Sequence, residues 1–129
     1  MKYVLDTNIL IYLLQGRLAS GLPCEGAYYV SVISEIEILA YPDITPDEEL
    51  NAKRLLQHLT SLEISPEIKE ETIRLRKQYR VKLPDALIAA TALNIEGILL
   101  TNDLRLTNIS EIVCQTLPLC NASNQPEPK

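Results

Sequence analysis

Residues 4–14 read VLDTNILIYLL, an apolar run that holds an acid, a hydroxyl and an amide in direct succession at Asp6, Thr7 and Asn8. The residues before Asp6 are typical of a short buried strand, and residues 9–14 are typical of a helix. Asp, Thr and Asn side chains bind the free N–H groups at a helix start. The three polar residues therefore mark the junction of a first strand and a first helix.

Strands and helices alternate along the rest of the chain. Strands are predicted at residues 2–5, 27–33, 62–64, 98–101 and 112–117. Helices are predicted at residues 9–14, 34–41, 45–59, 65–80 and 83–97. This alternation predicts one α/β domain with a parallel sheet that helices cover on both faces.

Two helix starts carry recognisable capping residues. Ser34 is followed three residues later by Glu37, which is the spacing of a capping box. Thr45 precedes Pro46, and Pro is favoured at the first helical position. We therefore expect Ser34 and Thr45 to be the caps of the second and third helices.

The composition indicates a globular protein of 129 residues, with 47% apolar and 22% charged residues. Its net charge of −5 argues against a nucleic-acid partner unless a bound cation reverses the local charge. Three cysteines, Cys24, Cys114 and Cys120, indicate free thiols in a reducing compartment. Because Asp6 and Asn8 interrupt the first apolar run, we expect no membrane span and a soluble, cytoplasmic protein.

Four acids fall where the ends of parallel strands should meet. Asp6 follows the first strand, Asp103 follows the strand at residues 98–101, Glu37 lies one helical turn beyond the second strand, and Asp85 opens a buried helix. Each acid alone has a structural explanation as a helix cap or a turn residue. Glu37 is the hardest to explain so, because its neighbours are apolar; Glu35 points to the other side of the helix.

Together these carboxylates would repel one another unless they bound protons or cations. Oxygen ligands select hard ions, so Mg²⁺ or Mn²⁺ is expected. A magnesium ion held by carboxylates commonly acts on phosphate groups. The sequence therefore predicts a site for phosphate chemistry at the carboxyl ends of the strands.

Four segments, VLDTNILIYLL, SVISEIE, LPDALIAATAL and LLTND, resemble in this order and spacing the PIN-domain ribonucleases, in particular the VapC toxins of bacterial toxin–antitoxin pairs. The resemblance covers residues 1–117 and leaves residues 118–129 as a disordered tail. It implies a three-layer α/β/α fold with a central parallel sheet. It also implies metal-dependent RNA cleavage by a type II toxin, a VapB-like antitoxin as partner, and a homodimer.

The resemblance extends to individual residues. It implies a catalytic, metal-binding set made of Asp6, Glu37, Asp85 and Asp103, in which the choice of Glu37 over Glu35 rests on the alignment of the motif. Polar side chains beside these acids are also expected, namely Thr7, Asn8, Ser34 and Thr101.

A basic run, RLRKQYRVK, covers residues 74–82 and precedes Asp85. It is explained equally well as a solvated helix face and as a surface that holds RNA phosphates. In the second case Arg76, Arg80 and Lys82 are the expected RNA-binding residues. Tyr79 in this run fits either stacking on a base or packing on the core.

The same residues bear on three other functions. A housekeeping PIN-domain nuclease in RNA processing has the same motifs as a toxin, and gene neighbourhood would separate the two. A receiver-type signalling module needs an acid pair after the first strand and a Lys after the last one, and this chain has a single Asp6 and an Asn-Asp pair there. An Asp-nucleophile phosphatase needs a second Asp two residues after Asp6, where Asn8 stands.

Overall fold

The computed structural model describes residues 1–23 and 25–120. In these residues, five strands form one sheet in which neighbouring strands run parallel. The strands are β1 (Lys2–Leu5), β2 (Ala27–Ser31), β3 (Thr60–Leu62), β4 (Ile98–Leu100) and β5 (Val113–Gln115). Their order is β3-β2-β1-β4-β5, which makes β1 the central strand.

Six helices connect the strands in this part of the chain. They are α1 (Thr7–Leu14), α2 (Val32–Leu39), α3 (Pro46–Gln57), α4 (Pro66–Tyr79), α5 (Leu83–Ile95) and α6 (Leu104–Thr107). None of the described helices combines the length and apolar composition that a membrane span requires.

Strand β1 shows why helices cover both faces of the sheet. Tyr3 and Leu5 are buried in a cluster with residues of α1, α2 and α3. Val4 is buried in the opposite cluster with residues of α4 and α5. Because successive side chains of a strand point to opposite faces, an apolar β1 needs a helical layer on each side. The predicted α/β/α fold with a central parallel sheet is confirmed.

The strand order places a switch point beside β1. The chain runs from β1 outward to β2 and β3, and then returns to add β4 on the other side of β1 and β5 beyond it. The helices that follow β1 and β4 therefore leave the sheet in different directions. In open parallel sheets the crevice at such a point, outside the carboxyl ends of the strands, is the usual ligand site.

The predicted second strand, residues 27–33, is wrong at its end. Strand β2 ends at Ser31, whose side chain accepts a hydrogen bond from the backbone N–H of Ile33 at 3.2 Å and caps α2. The predicted Ser34–Glu37 capping box is therefore also wrong. The β-branched residues at 32 and 33 favour a strand locally, but the cap and tertiary packing override that preference.

Other boundaries differ by a few residues. Helix α1 already begins at Thr7, β3 lies at residues 60–62 rather than 62–64, and β5 is shorter than predicted. A short helix, α6, lies between the predicted strands at residues 98–101 and 112–117, where the sequence predicts no helix. The cap at Thr45 is confirmed, because its hydroxyl and the Glu48 side chain form a complete capping box with the backbone.

Residues 118–120 pair with the loop after α1. The backbone N–H of Ala19 donates to the Pro118 carbonyl, and that of Cys120 donates to the Arg17 carbonyl, both at 2.8 Å. Leu18 and Leu119 form an antiparallel bridge between these two bonds. The rest of the predicted tail, residues 121–129, and Cys24 lie outside the described residues.

We predict that Gly26→Ala destabilises the fold more than Gly21→Ala. Both glycines have positive φ, at +149° and +67°. A Cβ at Gly26 would lie 2.6 Å from Cε2 of Tyr3 and 2.9 Å from the Met1 carbonyl oxygen, whereas Gly21 has nothing within 4 Å. We expect a loss in the free energy of unfolding of about 2–4 kcal/mol for Gly26→Ala and about 1–2 kcal/mol for Gly21→Ala. Urea denaturation measures both, and equal losses would contradict the steric argument.

Candidate active site

A cavity of about 260 Å³ lies at the carboxyl ends of the central strands. Its walls come from the starts of α1, α5 and α6 and from the middle of α2. The lining residues are Asp6, Thr7, Asn8, Ile11, Glu37, Asp85, Ile88, Asp103 and Arg105. The fold thus brings the four predicted acids to one cavity.

Asp6 is the most buried of the four acids, with 4% of its surface exposed. It is the N-cap of α1, and its Oδ1 accepts a hydrogen bond from the backbone N–H of Ile9 at 2.8 Å. Its Oδ2 accepts a short hydrogen bond from the hydroxyl of Thr101, the residue after β4. The carboxylate therefore joins the ends of β1 and β4.

Burial raises the pKa of Asp6 above its ordinary value. The hydrogen bonds from Thr101 and Ile9 lower this pKa, while the nearby charges of Asp103 and Asp85 raise it. Desolvation and like charge both disfavour the ionised form. The cavity therefore holds an acid that favours a proton or a cation nearby.

Two hydroxyls connect α1 to Glu37 in α2. Thr7 Oγ1 donates to Glu37 Oε1 at 2.6 Å and lies 2.9 Å from Ser34 Oγ. Because Thr7 has one hydroxyl proton and gives it to Glu37, the fully buried Ser34 donates to Thr7. Glu35 points elsewhere and accepts a short hydrogen bond from Ser61 in β3. Only Glu37 of these two glutamates faces the cavity.

Asp85 lies in the first turn of α5, where free N–H groups favour a carboxylate. Burial raises its pKa, and the charge of Arg105 opposes this shift. The charges of Asp103 and Glu37 raise the pKa of Asp85 further. The pKa of Asp85 therefore depends on Glu37 and Asp103, which lie on two other parts of the cavity wall.

Asp103 is the N-cap of α6 and is bound by Arg105. The guanidinium donates from Nη2 to Oδ2 at 2.8 Å and from Nε to Oδ1 at 3.2 Å, and the backbone N–H of Arg105 donates to Oδ1 at 2.9 Å. The Arg105 guanidinium lowers the pKa of Asp103. Thr101 also holds this residue, because its Oγ1 accepts the Asp103 backbone N–H at 3.0 Å.

A family model described as the PIN domain matches residues 3–112. The chain belongs to the PIN-domain family. Members of this family are nucleases that generally use divalent metal ions. The family and the nuclease class predicted from the sequence are therefore confirmed.

Several solved structures resemble the chain. A toxin–antitoxin complex from Klebsiella pneumoniae is 31% identical, with 86% of this chain and 95% of that chain covered and a TM-score of 0.72. VapBC2 from Rickettsia felis, bound to a promoter DNA fragment, is 18% identical, with 92% and 100% covered and a TM-score of 0.78. VapBC-1 from nontypeable Haemophilus influenzae is 24% identical, with 90% and 98% covered and a TM-score of 0.70. No curated protein matches the chain.

The chemistry of the cavity fits a divalent cation. Its acids offer only oxygen atoms, which suit Mg²⁺ and Mn²⁺, and their mutual repulsion would be relieved by a bound cation. However, no group of three or more His, Cys, Asp or Glu side chains in the described residues is arranged to hold an ion as it stands. Arg105 occupies both carboxylate oxygens of Asp103.

The predicted supporting residues have different positions in this PIN domain. Thr7, Ser34 and Thr101 hydrogen-bond to the acids or to one another, as described above. Asn8 is exposed at the cavity wall. Asn102 does not face the cavity, because its amide pairs with the backbone N–H and carbonyl of Leu117 at 2.8 and 2.9 Å.

The basic run divides into engaged and available side chains. Arg74 pairs with Glu111 at 2.6 Å and with Glu71 at 2.8 Å, so it is not available for phosphates. Tyr79 packs against the core cluster and its hydroxyl donates to Glu111 at 3.0 Å, which favours the core interpretation. Lys82 precedes α5, and its charge lowers the pKa of both Asp85 and Asp103.

Sequence reasoning missed Arg105. It lies in NDLRLTN, between two predicted strands, where the sequence predicts neither a helix nor a strand and so no side-chain direction follows. The available signal was an Arg two residues after Asp103, the spacing at which a cap carboxylate receives a backbone N–H.

Arg76 and Arg80 lie at the end of α4, where Arg76 Nε donates to the Val81 carbonyl at 3.2 Å and Arg80 has a φ of +57°.

We predict that Asp6→Asn stabilises the metal-free protein increasingly as the pH rises from about 4 to about 7. The folded pKa of Asp6 is raised, so the folded state binds this proton more tightly than the unfolded state does. Stability contributed by Asp6 is therefore lost as the pH rises between the two pKa values. Asn keeps the cap to Ile9 and carries no charge, but its amide nitrogen cannot accept the Thr101 hydroxyl, so the lost bond adds a pH-independent cost to the difference.

The measurement is the melting temperature of both proteins in excess chelator across this pH range. We expect the advantage of Asp6→Asn to grow to a few degrees at pH 7. The exposed Asp43→Asn is the matched control and should show a flat difference. An Asp6→Asn advantage that shrinks with rising pH would contradict the assignment of burial as the dominant effect.

Proposed function

We propose that this PIN domain is an endoribonuclease that depends on Mg²⁺ or Mn²⁺ and is the toxin of a type II toxin–antitoxin pair. The observation that carries the proposal is the cavity at the ends of β1 and β4, lined by four acids from four elements. Such a site suits phosphodiester hydrolysis, because the substrate phosphate and the acids would both be neutralised by the same cation.

We assign Asp6, Glu37, Asp85 and Asp103 as the residues that would hold the cation. When bound, it would polarise a phosphoryl oxygen and lower the pKa of a water molecule. Thr101 and the Ile9 N–H fix the orientation of Asp6, and Thr7 fixes that of Glu37. Burial raises the pKa of Asp85 in the metal-free cavity, so a bound cation would relieve an unfavourable charge there.

RNA binding is assigned to the basic residues beside Asp85. Lys82 is exposed, and its charge lowers the pKa of Asp85 and that of Asp103. Arg76 and Arg80 both lie at the end of α4, before its connection to α5, and carry charges that the phosphate backbone would attract. This local positive charge offers an explanation of how a protein of net charge −5 holds RNA.

The antitoxin is proposed from the relatives and from the surface. The 31% identical structure from Klebsiella pneumoniae is a toxin–antitoxin complex. A second cavity of about 460 Å³ lies between α1, α2 and α3 and shares Ile11 and Glu37 with the first. A VapB-like segment could fill this groove with apolar residues and pair a guanidinium with the acids. The homodimer implied by the resemblance stays a prediction.

We predict that RNA cleavage stops in excess chelator and returns with Mg²⁺ or Mn²⁺. Glu37→Gln, Asp6→Asn and Asp85→Asn should each lower the cleavage rate by about 10²-fold or more, because each removes a charge from the cavity. Glu35→Gln is the matched control and should keep near wild-type activity, because Glu35 contacts Ser61 outside the cavity.

The readout is the initial rate on a fluorescent single-stranded RNA, with circular dichroism to verify folding. Full activity in chelator would contradict the metal dependence. Loss of activity in Glu35→Gln with retention in Glu37→Gln would reverse the assignment of the two glutamates.

We predict that expression of the wild-type chain arrests bacterial growth and that co-expression of the small protein encoded upstream restores it. Asp85→Asn, expressed to the same level, should not arrest growth, because cleavage is lost while the fold is kept. Colony counts after induction provide the measurement. Normal growth despite abundant wild-type protein that cleaves RNA in vitro would favour the housekeeping nuclease over the toxin.

A further inference from the structure

Arg105 contributes the only guanidinium among the residues that line the acidic cavity. Its side chain forms a two-point contact with the Asp103 carboxylate, and its own backbone N–H adds a third hydrogen bond. With 64% of its side chain exposed, Arg105 is held by this contact rather than by packing.

The contact occupies the atoms that a cation would need. Both oxygens of Asp103 accept hydrogen bonds from Arg105, at 3.2 and 2.8 Å. A carboxylate held by a guanidinium fork has fewer lone pairs free for a metal ion. The guanidinium makes its two-point contact with Asp103, whereas it affects Asp85 through its charge, which lowers the pKa of Asp85.

We propose that Arg105 is a positioning residue that competes with the divalent cation for Asp103 and thereby sets the metal affinity of the site. This inference rests on the proposed metal-dependent function. In the absence of metal, the guanidinium is the counter-charge of the clustered acids. A bound cation would take the place of the guanidinium as the counter-charge of the Asp103 carboxylate.

The competition is favoured because the Arg105 side chain is 64% exposed, although the Asp103 side chain is only 16% exposed. Exposed ion pairs contribute little stability and are screened by salt, so Asp103 can be released without loss of the fold. The backbone N–H of Arg105 and the Thr101 hydroxyl still hold Asp103 in place after the guanidinium leaves. Removal of the Arg105 charge should therefore favour the metal-bound state.

The test is Mn²⁺ binding, measured by calorimetry and by electron paramagnetic resonance at low salt. We expect Arg105→Gln to bind Mn²⁺ about fivefold more tightly than the wild type, because the cation no longer has to displace the guanidinium from Asp103. Arg105→Lys keeps the charge and loses the fork, so its affinity should lie between the two. Arg74→Gln is the matched control, because Arg74 pairs with Glu71 and Glu111 outside the cavity, and it should leave the affinity unchanged.

A double-mutant cycle shows whether Arg105 acts through Asp103. In an Asp103→Asn background, the gain from Arg105→Gln should fall well below that in the wild type, since the contested carboxylate is absent. A gain of equal size in both backgrounds would overturn the competition for Asp103.

The failure of this inference can be told apart from that of the proposed function. Equal Mn²⁺ affinity of wild type and Arg105→Gln, with metal-dependent RNA cleavage intact, overturns the role of Arg105 and leaves the nuclease proposal standing. An Arg105→Gln that cleaves RNA more slowly at unchanged Mn²⁺ affinity assigns Arg105 to the substrate and also overturns the inference. Absence of Mn²⁺ binding and of cleavage in every variant overturns both proposals.

Discussion

The Asp6 carboxylate joins the two central strands at their carboxyl ends. One oxygen closes the first turn of α1, and the other accepts the hydroxyl of Thr101 after β4. The backbone adds a parallel link, because the Asp6 N–H donates to the Leu100 carbonyl at 3.1 Å. Because the strand order reverses beside β1, this side chain lies in the crevice where the other acids meet and connects the two strands that border it.

The same position makes Asp6 both structural and reactive. A buried carboxylate is unfavourable unless hydrogen bonds or a cation compensate for the lost hydration. Ile9 and Thr101 compensate in part, and burial still raises the pKa of Asp6. The hydrogen bonds therefore leave part of the cost of a buried charge uncompensated. The residual repulsion among Asp6, Asp85 and Asp103 would be relieved by a bound cation.

Much of the fold follows from sequence because the strands are apolar and the helix starts carry Pro and capping residues. Asp6 and Asp103 were placed correctly because each follows a strand that hydrophobic pattern alone identifies. Glu37 required the family resemblance, since helical spacing alone does not separate it from Glu35. Arg105 was missed because its position depends on α6, four residues long, whose capping by Asp103 is visible only in three dimensions.

Hydroxyl side chains hold several of the acids in place by hydrogen bonds. Thr101 binds the Asp6 carboxylate and the Asp103 backbone N–H, so both acids are tied to the residue that follows β4. Ser34 and Thr7 form a chain that ends on Glu37 and ties α2 to α1. Asp85 is affected by burial and by charges rather than by such a chain. The cavity thus combines two carboxylates held by neighbouring hydroxyls, those of Asp6 and Glu37, with Asp85, whose pKa is raised by burial and changed by the charges around it. Carboxyl groups with a pKa perturbed in this way are typical of functional sites.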